Sequence, residues 1–180
     1  GLARRDHHLS TGGAVMAAKS STRRKAASPA WVVLKFGGTS VSSVERWETI
    51  ATLLRQRLAE GLRPVVVHSA LATVSNKLDE LLHRALEMDV TAQVAGIREL
   101  HLRLAAGLQV DGEKELGGYF RELEQLLAGI HLIREVSPRI QARVMGLGEL
   151  MATRLGAAYL ARVGLKVTWL DARELLRSNM

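Results

Sequence analysis

The residues with the most chemistry in the chain stand close together in "WVVLKFGGTSVSS", residues 31–43, where an apolar run meets Lys35, Gly37, Gly38, Thr39 and Ser40. A glycine pair after a strand is by itself only a tight turn, because glycine takes positive φ without steric cost. A lysine at the strand end and two hydroxyls beyond the turn add a point cation, open backbone N–H groups and further donors. That set suits an anion, with phosphate as the first candidate, since the leading N–H groups of a helix lack intrahelical partners. The spacing is neither G-x-x-x-x-G-K-[ST] nor G-x-G-x-x-G.

Strands and helices must position these groups. Trp31 to Phe36 is short and rich in β-branched and aromatic residues, which predicts a strand buried on both faces. Ser42 and Glu45 have capping-box spacing, and Val44, Trp47, Ile50, Ala51, Leu54 and Leu58 recur at helical spacing up to a stop at Gly61. Pro64 opens a second strand over residues 65–67, followed by "HSALATVSNKLDELLHRAL", in which Ser75 is placed to cap a helix starting near Asn76. Strand, helix, strand implies a parallel pair with a right-handed crossover, and ligands of such sheets lie beyond the carboxyl ends of the strands. Both polar turns, residues 35–40 and 68–75, are therefore expected on one edge.

Residues 90–130 read as a helical hairpin broken near "VDGEKELGG", resembling an inserted cap more than sheet. Ser137 and Pro138 form an N-cap and first-turn pair for a long helix that stops near Gly164. Gly146 and Gly148 inside it cost ~1 kcal/mol each and so point to a kink or close packing. "LKVTWL" reads as a third strand, and "DARELL" as a further helix with Asp171 and Glu174 in capping-box spacing. Together these elements predict an α/β sandwich, incomplete at its C-terminal end.

Composition narrows the function. The 180 residues are 47% hydrophobic and 24% charged, as in an ordinary globular domain. Without cysteine, disulfides and thiolate chemistry are excluded, and cytoplasm is the default compartment. The formal charge of +7 is concentrated: residues 1–28 hold six basic residues against Asp6 alone, a net of +5. That segment reads as a disordered basic tail, and as an unstructured leader rather than a transit peptide, with Met16 a candidate start. It lacks stacking aromatics and a docking helix, so nucleic-acid binding is not expected, and no apolar run is long enough to span a membrane. The six histidines, at 7, 8, 68, 83, 101 and 131, show no metal-ligand spacing, so no metal site is expected. Trp31 and Trp47 fit a core role, and His68 stands at a strand end beside Ser69.

"VVLKFGGTSV" resembles the N-terminal signature of the aspartokinases, in the amino-acid kinase superfamily. "VVVHSALATVSNKLDELL" is similar to that family's second segment, and "LGELMATRL" to its third, built around a Gly-Glu pair. The three stand in the family's order and cover nearly all of residues 31–175, with residues 30–180 as the N-terminal part of a kinase domain.

The resemblance implies a three-layer α/β/α sandwich with a mostly parallel sheet. It implies an enzyme that uses ATP with Mg²⁺ to phosphorylate the β-carboxylate of L-aspartate, the first step towards lysine, threonine and methionine. By position it implies that Lys35 neutralises charge on the phosphoryl group, and that Gly37, Gly38, Thr39 and Ser40 approach the phosphates. Ser69 and Ser75 fall where the family has hydroxyls near phosphate and aspartate, Ser75 standing for the commoner threonine. Glu149 falls on the aspartate-binding glutamate; without the resemblance it reads as a surface helix residue. Two features depart from the family. Ala152, beside Thr153, stands where serine is usual, and the family's Gly-rich second half and ACT domains have no counterpart before Met180. A full-length member is expected to be a homo-oligomer. The alternative is an inactive half-domain acting as a binding or structural fragment.

Overall fold

The computed structural model describes residues 29–175, and the basic tail lies outside them. Two strands, β1 (Trp31–Phe36) and β2 (Arg63–His68), pair in parallel, and α1 (Val44–Ala59) crosses between them. Then come α2 (Val74–Ala85), α3 (Val94–Gly107), α4 (Gly112–Ile133), α5 (Pro138–Arg162) and the short α6 (Ala172–Leu175).

The helix boundaries follow local chemistry. Ser43, not Ser42, caps α1, its Oγ accepting the Arg46 N–H at 3.4 Å. Gly61, at φ 77°, stops the chain beyond α1, and Gly164, at φ 89°, does so beyond α5. Asp111 caps α4 and Ser137 caps α5, with Pro138 in the first turn as expected. Thr73, at φ 71°, precedes α2 and makes no side-chain cap bond. Ser75 therefore lies inside the first turn of α2 instead of capping it.

One continuous core joins the helices. Trp47 and Ile50 of α1, Leu78 of α2, Ile97 of α3, Phe120 and Leu127 of α4, and Met151 and Leu155 of α5 are all buried. The hairpin of α3 and α4 belongs to that core and packs on α2 and α5. The sheet meets it with one face only: Leu34, Phe36 and Val66 pack inward, whereas Val33, Val65 and Val67 are exposed.

This overturns the expectation of strands buried on both faces, and with it a core place for Trp31, which is 68% exposed under the Arg63 guanidinium. Side chains alternate along a strand, and among the described residues the helices cover one face. Residues 165–170 form no strand either. An apolar extended run becomes a strand only with a ladder partner, and this one lies against α5, where Trp169 Nε1 donates to Thr153 Oγ1 at 3.1 Å. Gly148 explains one of the two helix glycines: an added Cβ would lie 3.0 Å from Ala70 Cβ and 3.1 Å from Leu78 Cδ1. Gly146 has open space around it, and α5 runs through both positions.

Candidate active site at the strand ends

Because β1 and β2 are parallel and paired from Trp31↔Arg63 to Phe36↔His68, both end at one level. The Ser69 N–H donates to the Phe36 carbonyl at 3.2 Å and carries the pairing one residue further. The turns after the two strands therefore open side by side on the carboxyl edge, as the βαβ pattern predicted.

Lys35 is exposed and shares the uncovered sheet face with Trp31 and Val33, and among the described residues it enters none of the ion pairs. A Cβ added to Gly37 would meet nothing within 4 Å, and a 3₁₀ turn, Gly38–Val41, follows it with the Ser40 N–H donating to the Gly37 carbonyl at 3.0 Å. Thr39 is exposed and Ser40 half-buried. Gly38 touches the second turn backbone to backbone: an added Cβ would lie 2.7 Å from the Ala70 carbonyl oxygen and 3.2 Å from the Ala72 nitrogen. Glycine at 38 is thus a requirement of close approach.

Two side chains that were not singled out for this role hold the turns in place. Ser42 Oγ donates to the Gly38 carbonyl at 2.6 Å and accepts the Ala72 N–H at 2.8 Å. Trp47 Nε1 donates to the Val41 carbonyl at 2.9 Å, and its ring packs edge-on against His68 and Tyr159. The sequence offered no local signal for either bond, since a serine pair ahead of a helix reads as a cap and a periodic tryptophan as core.

On the second turn, His68 is buried and its Nδ1 lies 2.9 Å from the Ser69 carbonyl oxygen, as a donor in the neutral ring. Burial pushes its pKa down, against the opposing pull of that hydrogen bond and of the Glu149 charge. Ser69 and Ser75 are half-buried along the same turn and the start of α2. Glu149 is exposed on α5, one residue after Gly148, whose packing on Ala70, Val74 and Leu78 draws α5 against this turn. Ala152 is buried. The neighbouring Thr153 hydroxyl donates to the Glu149 carbonyl at 2.8 Å and accepts from Trp169, so its bonds are structural.

Two surface depressions among the described residues lie along Thr91, Glu124 and Ala128 and between α2 and α3. No three acidic or histidine side chains converge on a metal position among the described residues.

Comparison with known proteins places this architecture. Residues 30–180 match the amino acid kinase family. Aspartokinase 2, chloroplastic, of Arabidopsis thaliana is 40% identical over 151 residues, which are 79% of this chain and 27% of that protein. The bifunctional aspartokinase/homoserine dehydrogenase 1, chloroplastic, of the same plant is 32% identical over 81% of this chain and 17% of its own length. The crystal structure of E. coli aspartokinase III with aspartate and ADP superposes with a TM-score of 0.70 at 25% identity, covering 83% of this chain and 33% of that one. The chain thus spans about a quarter of the length of the plant aspartokinases it matches. With the match running from Ala30 through both strand-end turns and α5, the chain belongs to the amino acid kinase family.

Proposed function

We propose that this chain supplies the phosphate- and aspartate-facing strand ends of an aspartate kinase, which transfers the γ-phosphoryl group of ATP to the β-carboxylate of L-aspartate. The observation that carries the reading is the level ending of β1 and β2, which brings the turn after Lys35, at Gly37 and Gly38, against the turn that runs from Ser69 through Ala72 towards Ser75. The aspartate and ADP in complex with E. coli aspartokinase III, and the aspartokinase names of the plant relatives, support the choice of substrates.

In the transfer, the bond from the γ-phosphorus to the leaving ADP oxygen breaks and a bond to a β-carboxylate oxygen forms, giving 4-phospho-L-aspartate. Protein groups contribute by position and charge, since phosphoryl transfer asks for little covalent help. Lys35 neutralises the charge that spreads over the phosphoryl oxygens. The unobstructed backbone at Gly37 lets the phosphates come close, and Gly38, pressed on Ala70 and Ala72, sets the turn there with Thr39 and Ser40 beside them. Ser69 offers a hydroxyl donor to the phosphate and Ser75 one to the aspartate. Glu149 pairs with the substrate α-ammonium as a charge-assisted hydrogen bond. Mg²⁺ would accompany the nucleotide and would neutralise charge on its phosphates, with Lys35 as the cation that this chain adds beside it.

Trapping the acyl phosphate with hydroxylamine tests the reaction. The full protein, given ATP and Mg²⁺ with L-aspartate, L-glutamate or N-acetylglutamate in turn, is expected to form a hydroxamate from L-aspartate alone. A folded protein that forms none refutes the reading and leaves the alternative of a non-catalytic binding half. The compartment is a separate proposal, cytoplasmic: the full protein with a fluorescent protein at its C-terminus is expected to be diffuse in the cell. Fluorescence confined to chloroplasts, the compartment in the relatives' names, overturns that placement.

A further inference from the structure

Ser42 closes the turn after β1, beyond the residues proposed to meet the ligands, and it bonds to both turns. A hydroxyl has one proton and two lone pairs. Here the proton goes to the Gly38 carbonyl at 2.6 Å and a lone pair receives the Ala72 N–H at 2.8 Å, 30 residues further along the chain. Among the described residues this is the one side-chain hydrogen bond that joins the turn after β1 to the turn after β2. It falls where the backbones already touch, since a Cβ on Gly38 would crowd the Ala70 carbonyl and the Ala72 nitrogen. Beyond Ala72, the left-handed Thr73 turns the chain directly into α2 and Ser75.

We propose that Ser42 is a positioning residue for phosphoryl transfer, fixing the Lys35–Gly37–Gly38 turn against the Ser69–Ser75 turn without touching either ligand. The proposal rests on the aspartate-kinase reading above. In-line transfer requires the attacking and leaving oxygens to be held at a set separation, and a misplacement of ~1 Å can cost ~100-fold in rate. When the bridge is cut, each turn keeps its own ligand groups, so binding of each substrate survives while the alignment between them is lost. A hydroxyl that only satisfied two half-buried backbone groups would affect folding stability and nothing else.

The test compares Ser42→Ala and Ser42→Thr in the full protein by steady-state kinetics, thermal melting and amide exchange. Ser42→Ala is expected to lower kcat about tenfold or more while KM for ATP and for L-aspartate changes by less than about threefold. Ser42→Thr, which keeps the hydroxyl, is expected to recover most of kcat. The Ala72 amide is expected to exchange faster in Ser42→Ala than in the wild type. An unchanged kcat at a temperature where Ser42→Ala is folded overturns the proposal and leaves a structural hydroxyl. An unchanged Ala72 exchange rate overturns it too, whatever the activity. A wild type that phosphorylates nothing refutes the aspartate-kinase reading instead, and the amide exchange still reports whether the bridge couples the turns. If Ser42→Ala does not fold, Ser42→Cys takes its place: its thiol is a weak donor of similar size, and it must show the same loss of kcat at constant KM.

Discussion

Gly156 of α5 leaves its side-chain space to the indole of Trp47: a Cβ there would lie 2.7 Å from Trp47 Cζ2 and nearer still to Cη2. Trp47 in turn holds the Val41 carbonyl through Nε1 at 2.9 Å. A glycine deep in a helix is thereby coupled to the 3₁₀ turn behind Lys35.

Gly156→Ala is therefore expected to destabilise the protein. Alanine gains ~1 kcal/mol over glycine in a helix, but overpacking against a rigid ring costs about 1–3 kcal/mol and wins. Gly146→Ala, in the same helix with nothing within 4 Å of the new Cβ, is expected to stabilise by up to ~1 kcal/mol. Thermal melts of the two variants should move in opposite directions.

Gly38 and Gly37 differ in the same way at the site itself. Gly38→Ala pushes a methyl into the Ala70 carbonyl at 2.7 Å, and since both partners are backbone, the two turns must part. It is expected to lose nearly all activity and part of its stability. Gly37 sits at φ −78° with nothing nearby, so Gly37→Ala keeps the melting temperature and raises KM for ATP by crowding the phosphates. Differential scanning calorimetry beside ATP titrations separates the two.

Glu149→Gln should act on one substrate. Glu149 is exposed, so stability is expected to hold. Loss of a charge-assisted hydrogen bond of ~1.5–3 kcal/mol predicts a rise in KM for L-aspartate of about 10- to 100-fold, with KM for ATP unchanged. Equal changes in both constants would remove Glu149 from the α-ammonium.

Two buried histidines set an acid limit on the fold. Burial pushes His101 below its ordinary value of 6.5, only partly opposed by its Nδ1 hydrogen bond to the Ile97 carbonyl, and its buried Nε2 has no partner among the described residues. His68 is lowered for the same first reason. A base with a depressed folded pKa binds fewer protons folded than unfolded, so its stability contribution is complete above 6.5 and is lost as the pH falls through the folded value. The melting temperature is expected to drop between about pH 7 and about pH 5, above the carboxylate range. His101→Leu should flatten that decline, and an unchanged slope would show that His101 does not titrate with unfolding.

The features legible in the sequence were the local ones. The strand that stops at Gly37, the Ser137–Pro138 helix start and the break before Asp111 depend on neighbours within a turn or so, and the structure shows each of them. Residues that depend on distant partners were not legible. Trp31 has the composition of a core residue, but its burial requires a layer over its own sheet face, which β-propensity does not encode. Residues 165–170 prefer an extended backbone, and only a paired edge would have made them a strand. Ser42 and Ser43 are identical as letters, and the choice of cap went to Ser43 while Ser42 reached Ala72. Gly148 and Gly156 announced a cost in the helix, but what pressed on them, Ala70 and Trp47, came from other elements.

As proposed, the exposed lysine at the end of β1 serves phosphoryl transfer to aspartate. The most direct test measures L-aspartate-dependent ADP release by the full protein, with Lys35→Ala and, as a control, Lys114→Ala from the first turn of α4. Wild type and Lys114→Ala are expected to show aspartate-dependent release. Lys35→Ala is expected to lose it by about 100-fold or more at an unchanged melting temperature. Equal rates in all three proteins would contradict this role of Lys35.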